Sequence, residues 1–134
     1  MSQRSVELVR GLVESFNRRD FARMAEAVHE DFELRSVFAA IDSGGATYSG
    51  PDAWNEYIRV MDESWEDWRV ADPEVFDGDD GVACVMRLVG KGRQSGAAVA
   101  RTIGIAYWLR SRRVWRAHAF LDPAEALEAV GLSE

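Results

Sequence analysis

Residues 99–132 read VARTIGIAYWLRSRRVWRAHAFLDPAEALEAVGL. Two apolar alternating runs, 98–109 and 114–121, flank a basic turn at 110–113. Each run puts mostly small or apolar side chains on one face and bulkier or charged ones on the other, the period of a strand. A sheet built this way wraps a pocket with its small-residue face. Asp122-Pro123 then opens a helix, with proline at a first-turn position where its missing N–H costs nothing. Gly131 ends it.

Upstream, the period changes to that of a helix. Val6, Val9, Leu12, Val13 and Phe16 form one stripe, with Ser2 or Ser5 as its cap. Residues 17–20 break the pattern. Asp20 caps a second helix whose stripe is Phe21, Met24, Ala25 and Val28, with His29 at its end. Phe32, Leu34, Ser36 and Phe38 then alternate as in a strand, and 41–46 is a glycine-bearing loop. Gly50-Pro51 opens a third helix, proline first, with an aromatic stripe of Trp54, Tyr57, Ile58, Met61 and Trp65. Four strands close the chain: 68–76, edged by Pro73, 82–89, 98–109 and 114–121. A hairpin turn at 77–81 and a glycine-rich loop at 90–96 join the first three. Helices followed by antiparallel strands predict one α+β domain over 1–134, its helices covering one face of a curved sheet.

Composition bounds the function. Apolar residues make up 47%, enough for a packed core, and the formal charge of −7 disfavours nucleic acid and anionic membrane surfaces. No apolar run approaches the roughly 20 residues that span a bilayer. Cys84 is alone, which suits a reducing, cytoplasmic setting. His29 and His118 have no metal-ligand spacing, and the acidic run 77–80 lacks the spacing of a calcium loop, so no metal is expected. Gly90-Lys91-Gly92 lacks the Gly-Lys-Ser/Thr ending of a phosphate loop, and no cofactor motif occurs.

Four pieces in order carry a family resemblance: Asn17-Arg18-Arg19-Asp20-Phe21, His29-Glu30-Asp31-Phe32-Glu33, Ser49-Gly50-Pro51-Asp52-Ala53-Trp54, and Asp122 to Ala129 with Gly131-Leu132. The chain resembles the SnoaL-like proteins of the nuclear transport factor 2-like superfamily over nearly its whole length. The resemblance implies a cone: a strongly curved, mostly antiparallel sheet wrapped around three N-terminal helices, with a short C-terminal helix and a cavity at the wide end. It also implies a homodimer through the outer sheet face. The family includes cofactor-independent isomerases, cyclases and hydrolases. The isomerase pattern places its Tyr at Leu12, its base at Ser36 and its late Asp near Ile105, and the epoxide hydrolase pattern places its last Asp at Ala119. None of these positions carries the required group, so the catalytic residues are unknown.

The same matching sets the strand faces. Ala117, Ala119 and Leu121 point inward; Arg116, His118 and Phe120 point outward. Cys84, Met86 and Leu88 point in, as do Arg101, Ile103, Ile105 and Tyr107. The expected cavity lining is therefore Ser36, Phe38, Trp54, Tyr57, Met61 and Met86, with Arg101, Tyr107, Ala117 and Ala119 from the last two strands. An inward Arg101 needs a carboxylate partner, for which Asp42 is the candidate; otherwise it extends to solvent at the strand end. A mostly apolar pocket with few polar groups is the usual form of a small-molecule site. The expected occupant is a small apolar or cyclic molecule. The alternative is a non-catalytic dimeric interaction or accessory domain.

Overall fold

The computed structural model describes residues 3–36 and 47–132. The chain opens with α1 (Gln3–Arg18) and α2 (Phe21–Ala27), followed by β1 (Val28–Arg35) and β2 (Thr47–Ser49). Next come α3 (Ala53–Ser64), β3 (Trp65–Asp77), β4 (Val82–Gly92), β5 (Ala98–Arg110), β6 (Arg113–Phe120) and α4 (Pro123–Ala129). The strands form one six-stranded sheet in the order β2-β1-β6-β5-β4-β3. Every neighbouring pair is antiparallel except β1–β6. This is the α+β arrangement expected, in a curved open sheet with helices at both ends of the chain.

Several boundaries move. α2 ends at Ala27, so His29 lies in β1 and not at a helix C-terminus. Its Nδ1 accepts from the Asp31 N–H at 3.0 Å instead. Phe21, assigned to the buried stripe, is exposed, whereas Met24 carries the packing of α2. Pro51 sits in the turn before α3, whose cap is Asp52, because Gly50 at φ +89° redirects the chain first. Trp65 opens β3 and is not part of α3. β4 runs on to Gly92, into the glycine-rich segment expected to be a loop, whereas β5 starts at Ala98 as expected. The Asp20 cap is present, accepting from the Arg23 N–H at 3.2 Å.

The main core lies between α1, α3 and one face of the sheet. Val9, Leu12, Val13 and Phe16 of α1 meet Ile103, Ile105 and Tyr107 of β5 across it. A T-shaped aromatic cluster fixes the helices: Phe16–Trp54 at 5.6 Å, Phe16–Trp68 at 5.4 Å and Tyr57–Trp68 at 6.0 Å. Each such pair contributes about 1 kcal/mol beyond area burial.

The opposite face carries a smaller core. Ala83 and Ala106, one residue out of phase with Cys84 and Ile105, pack with Val130 beside α4. Trp108 and Phe120 join that cluster. They are half-buried against the C-terminal segment, not a bare patch. Gly104 makes the approach possible: a Cβ there would lie 2.7 Å from the Ala126 Cβ.

β3 is the edge strand beyond β4, and Pro73 falls where its register shifts between Ala71 and Glu74. An edge bulge is where a strand tolerates a residue without an N–H.

Candidate functional site

A cavity of about 40 Å³ lies in the main core. It has room for about three waters. α1 supplies Leu12, Val13 and Phe16; α3 supplies Trp54 and Tyr57; the sheet supplies Leu34, Val70, Met86, Leu88, Ile103, Ile105, Tyr107 and Ala119, with Ser36 just past β1.

Six residues expected from sequence therefore meet at one space: Ser36, Trp54, Tyr57, Met86, Tyr107 and Ala119. Met61 and Ala117 are buried in the same core without lining the cavity. Phe38 and Asp42 lie outside the described residues. Arg101 is a correction. Its neighbours Ile103, Ile105 and Tyr107 are buried, so the strand face was read rightly, but Arg101 itself is exposed and does not reach the cavity. Alternation gives the side of a sheet; it does not say where along a strand the core ends. Leu121 is corrected for the same reason: β6 stops at Phe120, and Leu121 is exposed.

The positions that the isomerase and hydrolase patterns point to, Leu12, Ser36, Ile105 and Ala119, all line this cavity. Each of these positions carries a methyl, a butyl-sized group or a hydroxyl in place of the pattern's acid or phenol.

The polar groups of the wall are few and neutral. Ser36 and Tyr57 share a side-chain hydrogen bond. Burial pushes the Tyr57 phenol up to about 12, partly offset by that bond. Burial also holds the Tyr107 phenol well above its ordinary value. Both stay protonated at neutral pH and serve as hydrogen-bond donors, not bases. The Trp54 ring is 5% exposed, and its Nε1–H is buried with no acceptor. A buried donor left unpaired costs about 1–3 kcal/mol. No carboxylate, histidine, lysine or arginine is among the described wall residues. Cys84 is buried, its thiol pushed up to about 12 chiefly by desolvation, and is not a nucleophile.

His118 lies on the far face, as the alternation predicted. Its Nε2 is 2.8 Å from Glu33 Oε2, and its ring meets Trp108 edge-on at 5.4 Å. Arg116 stacks over Trp108 at 4.2 Å and Trp115 at 4.8 Å. This is a structural ladder across β1, β6 and β5, remote from the cavity. Among the described residues no cluster of three or more His, Cys, Asp or Glu is placed to hold a metal, and no helix is long and apolar enough to cross a membrane.

A sequence profile described as the SnoaL-like domain matches residues 9–117. The chain belongs to the SnoaL-like family. Solved structures of the same fold cover this SnoaL-like chain almost end to end. A nuclear transport factor 2-like protein of unknown function from Burkholderia pseudomallei is 20% identical, with 97% of this chain and 98% of that one covered and a TM-score of 0.78. TerC, co-crystallised with polyporic acid, is 17% identical over 95% and 97% of the two chains, with a TM-score of 0.77. A protein with a ketosteroid isomerase-like fold from Catenulispora acidiphila, in complex with trimethylamine, is 14% identical over 94% and 93%, with a TM-score of 0.72. At these identities the likeness is one of fold. No curated protein matches the sequence.

Sequence reasoning missed part of the wall. Leu12, Val13, Phe16, Leu34 and Val70 carry the same periodic signal as any core residue, and nothing in that signal marks the side of a core left unfilled.

Proposed function

We propose that this SnoaL-like protein binds a small apolar molecule in the cavity between α1, α3 and the sheet. The observation that carries the reading is the wall itself. It is apolar apart from Ser36, Trp54, Tyr57 and Tyr107, and it includes the positions where the family's isomerase and hydrolase patterns place their reacting groups. A ring-sized ligand exceeds the resting volume, so binding requires the wall to widen. Met86 is suited to this, being long, unbranched and easily repacked. Tyr57 and Tyr107 orient the ligand or polarise an oxygen on it.

The test is a titration followed by methyl NMR. Small cyclic compounds are expected to shift the methyl resonances of Met86, Ile103 and Ile105, while Val130 on the opposite face stays still. Shifts confined to surface methyls would remove the cavity as the site.

A second reading is a non-catalytic dimeric accessory domain. It is favoured by the neutral wall, which offers no group that accepts a proton at neutral pH among the described residues. In this reading two copies meet through the outer face of β5 and β6, beside Trp108, Trp115 and Arg116. A mass near twice 15.0 kDa in sedimentation, without ligand-induced methyl shifts, is its signature.

A further inference from the structure

One row of the sheet runs from the cavity wall to a solvated charge. Val70, Leu88 and Arg101 are direct cross-strand partners in β3, β4 and β5. Val70 and Leu88 are wall residues, and so is Ile103, which follows Arg101 on the same face of β5. Residues directly opposite in an antiparallel pair have Cβ atoms about 5 Å apart. Arg101 therefore adjoins two wall residues, although it is itself exposed and outside the wall. The length of β6 is the reason. That strand stops at Phe120, opposite Gly104, so among the described residues no strand flanks Arg101 on its far side. Leu121, just past the end of β6, is exposed as well. Here the inner face of the sheet runs out of the core into solvent.

The guanidinium at this end is uncommitted: among the described residues it has no ion-pair partner. The carboxylates of β3 on either side of this row are engaged elsewhere, Glu66 with Arg93 at 3.7 Å and Asp72 with Arg87 at 3.4 Å. The interior behind Arg101 carries no charge, since the polar wall groups are the hydroxyls of Ser36, Tyr57 and Tyr107 and the indole of Trp54. A carboxylate drawn inside would lose its water and meet no cation. Left at the Arg101 end, it keeps part of its hydration and gains a planar, two-pronged donor. Together these conditions fix an orientation, apolar body inward and acid outward.

We infer that the cavity takes small amphipathic carboxylates, apolar end first, and that Arg101 binds the acid group at the solvent end. The inference rests on the binding reading above and adds the ligand's charge and the direction in which it lies.

Two probes of one shape test it: cyclopentylacetate and its neutral isostere cyclopentylacetamide. Each is titrated at low salt into the wild type and into Arg101→Gln, and binding is read at the Leu88 and Ile103 methyl resonances. Arg101 is exposed, so the variant is expected to fold as the wild type does. The wild type should bind the carboxylate about fivefold more tightly than the amide, the worth of one partly solvated ion pair. High salt should shrink that preference. Arg101→Gln should abolish it while leaving the affinity for the amide unchanged. Equal affinity of the wild type for the two probes would overturn the charge selection. A carboxylate preference that survives in Arg101→Gln would overturn the role of Arg101. If neither probe moves a cavity methyl in the wild type, the binding reading itself falls, an outcome distinct from the other two.

Discussion

The side-chain amide of Asn17 pairs with both backbone groups of Val70. Its Nδ2 donates to the Val70 carbonyl at 2.8 Å, and its Oδ1 accepts from the Val70 N–H at 2.9 Å. One side chain at the end of α1 thus mimics a neighbouring strand for the edge strand β3. Arg19 continues the clamp. It adopts φ +57°, donates to the carbonyls of Phe16 and Trp68, and lies over the Trp68 ring at 4.6 Å. The motif Asn17-Arg18-Arg19-Asp20-Phe21 is thereby a fold determinant and not a reacting site. Val70 is also a cavity wall, so the clamp sets the position of one side of the site.

Asn17→Ala leaves both Val70 groups without this partner. A loss of about 2 kcal/mol is expected, two net hydrogen bonds at about 1 kcal/mol each. Urea unfolding measures it. An unchanged midpoint would mean that β3 is held by its other contacts alone.

Gly104→Ala tests the packing of α4 on the outer face. The added methyl would meet the Ala126 Cβ at 2.7 Å and the Pro123 Cα at 2.9 Å, so the helix must shift outward. A loss of about 1–3 kcal/mol is expected, as for other overpacked contacts. Cavity methyl resonances should stay in place, because the strain lies on the other side of the sheet.

The β5–β6 turn stores removable strain. Ser111 and Arg112 both have positive φ, at 55° and 66°, the conformation of a two-residue hairpin that Asn-Gly adopts without penalty. Replacing the pair by Asn-Gly should stabilise the protein by about 1 kcal/mol. Calorimetry would show a Tm raised by a few degrees. A lower Tm would contradict the assigned turn geometry.

Tyrosine burial sets the alkaline limit. The Tyr57 phenol is raised to about 12 in the folded protein, while the unfolded chain ionises near 10. The contribution is complete below pH 10. It is lost as pH rises from about 10 toward 12, because the unfolded state releases its proton first. Tyr107 acts in the same direction. Denaturation midpoints are expected to fall steeply over that window in the wild type and less steeply in Tyr57→Phe. Ligand affinity, by contrast, should be flat from pH 6 to pH 9, since no described wall group titrates there.

The fold was legible because its signals are periodic. Val9, Leu12, Val13 and Phe16 mark a helix face, and the alternation of Ile103, Ile105 and Tyr107 gives the correct side of β5. What was not legible is depth and completion. Arg101 shares a face with Ile103 but lies beyond the core; Leu121 continues an alternation after the strand has ended. The missing partner of the Trp54 N–H is equally invisible in sequence, because it depends on what surrounds one atom after folding.

The central claim is that the cavity is the binding site, and Ala119 is the place to test it. Ala119 lines the cavity opposite the helices and is paired with Ile105 in the sheet. Ala119→Leu adds apolar bulk to the space without adding charge. A titration of this variant with a small cyclic compound such as cyclopentanone, read at the Met86 and Ile105 methyls, is the most direct measurement. The account predicts a folded protein of unchanged or higher stability in which those methyl shifts are abolished. A folded Ala119→Leu variant that binds with wild-type affinity would contradict it.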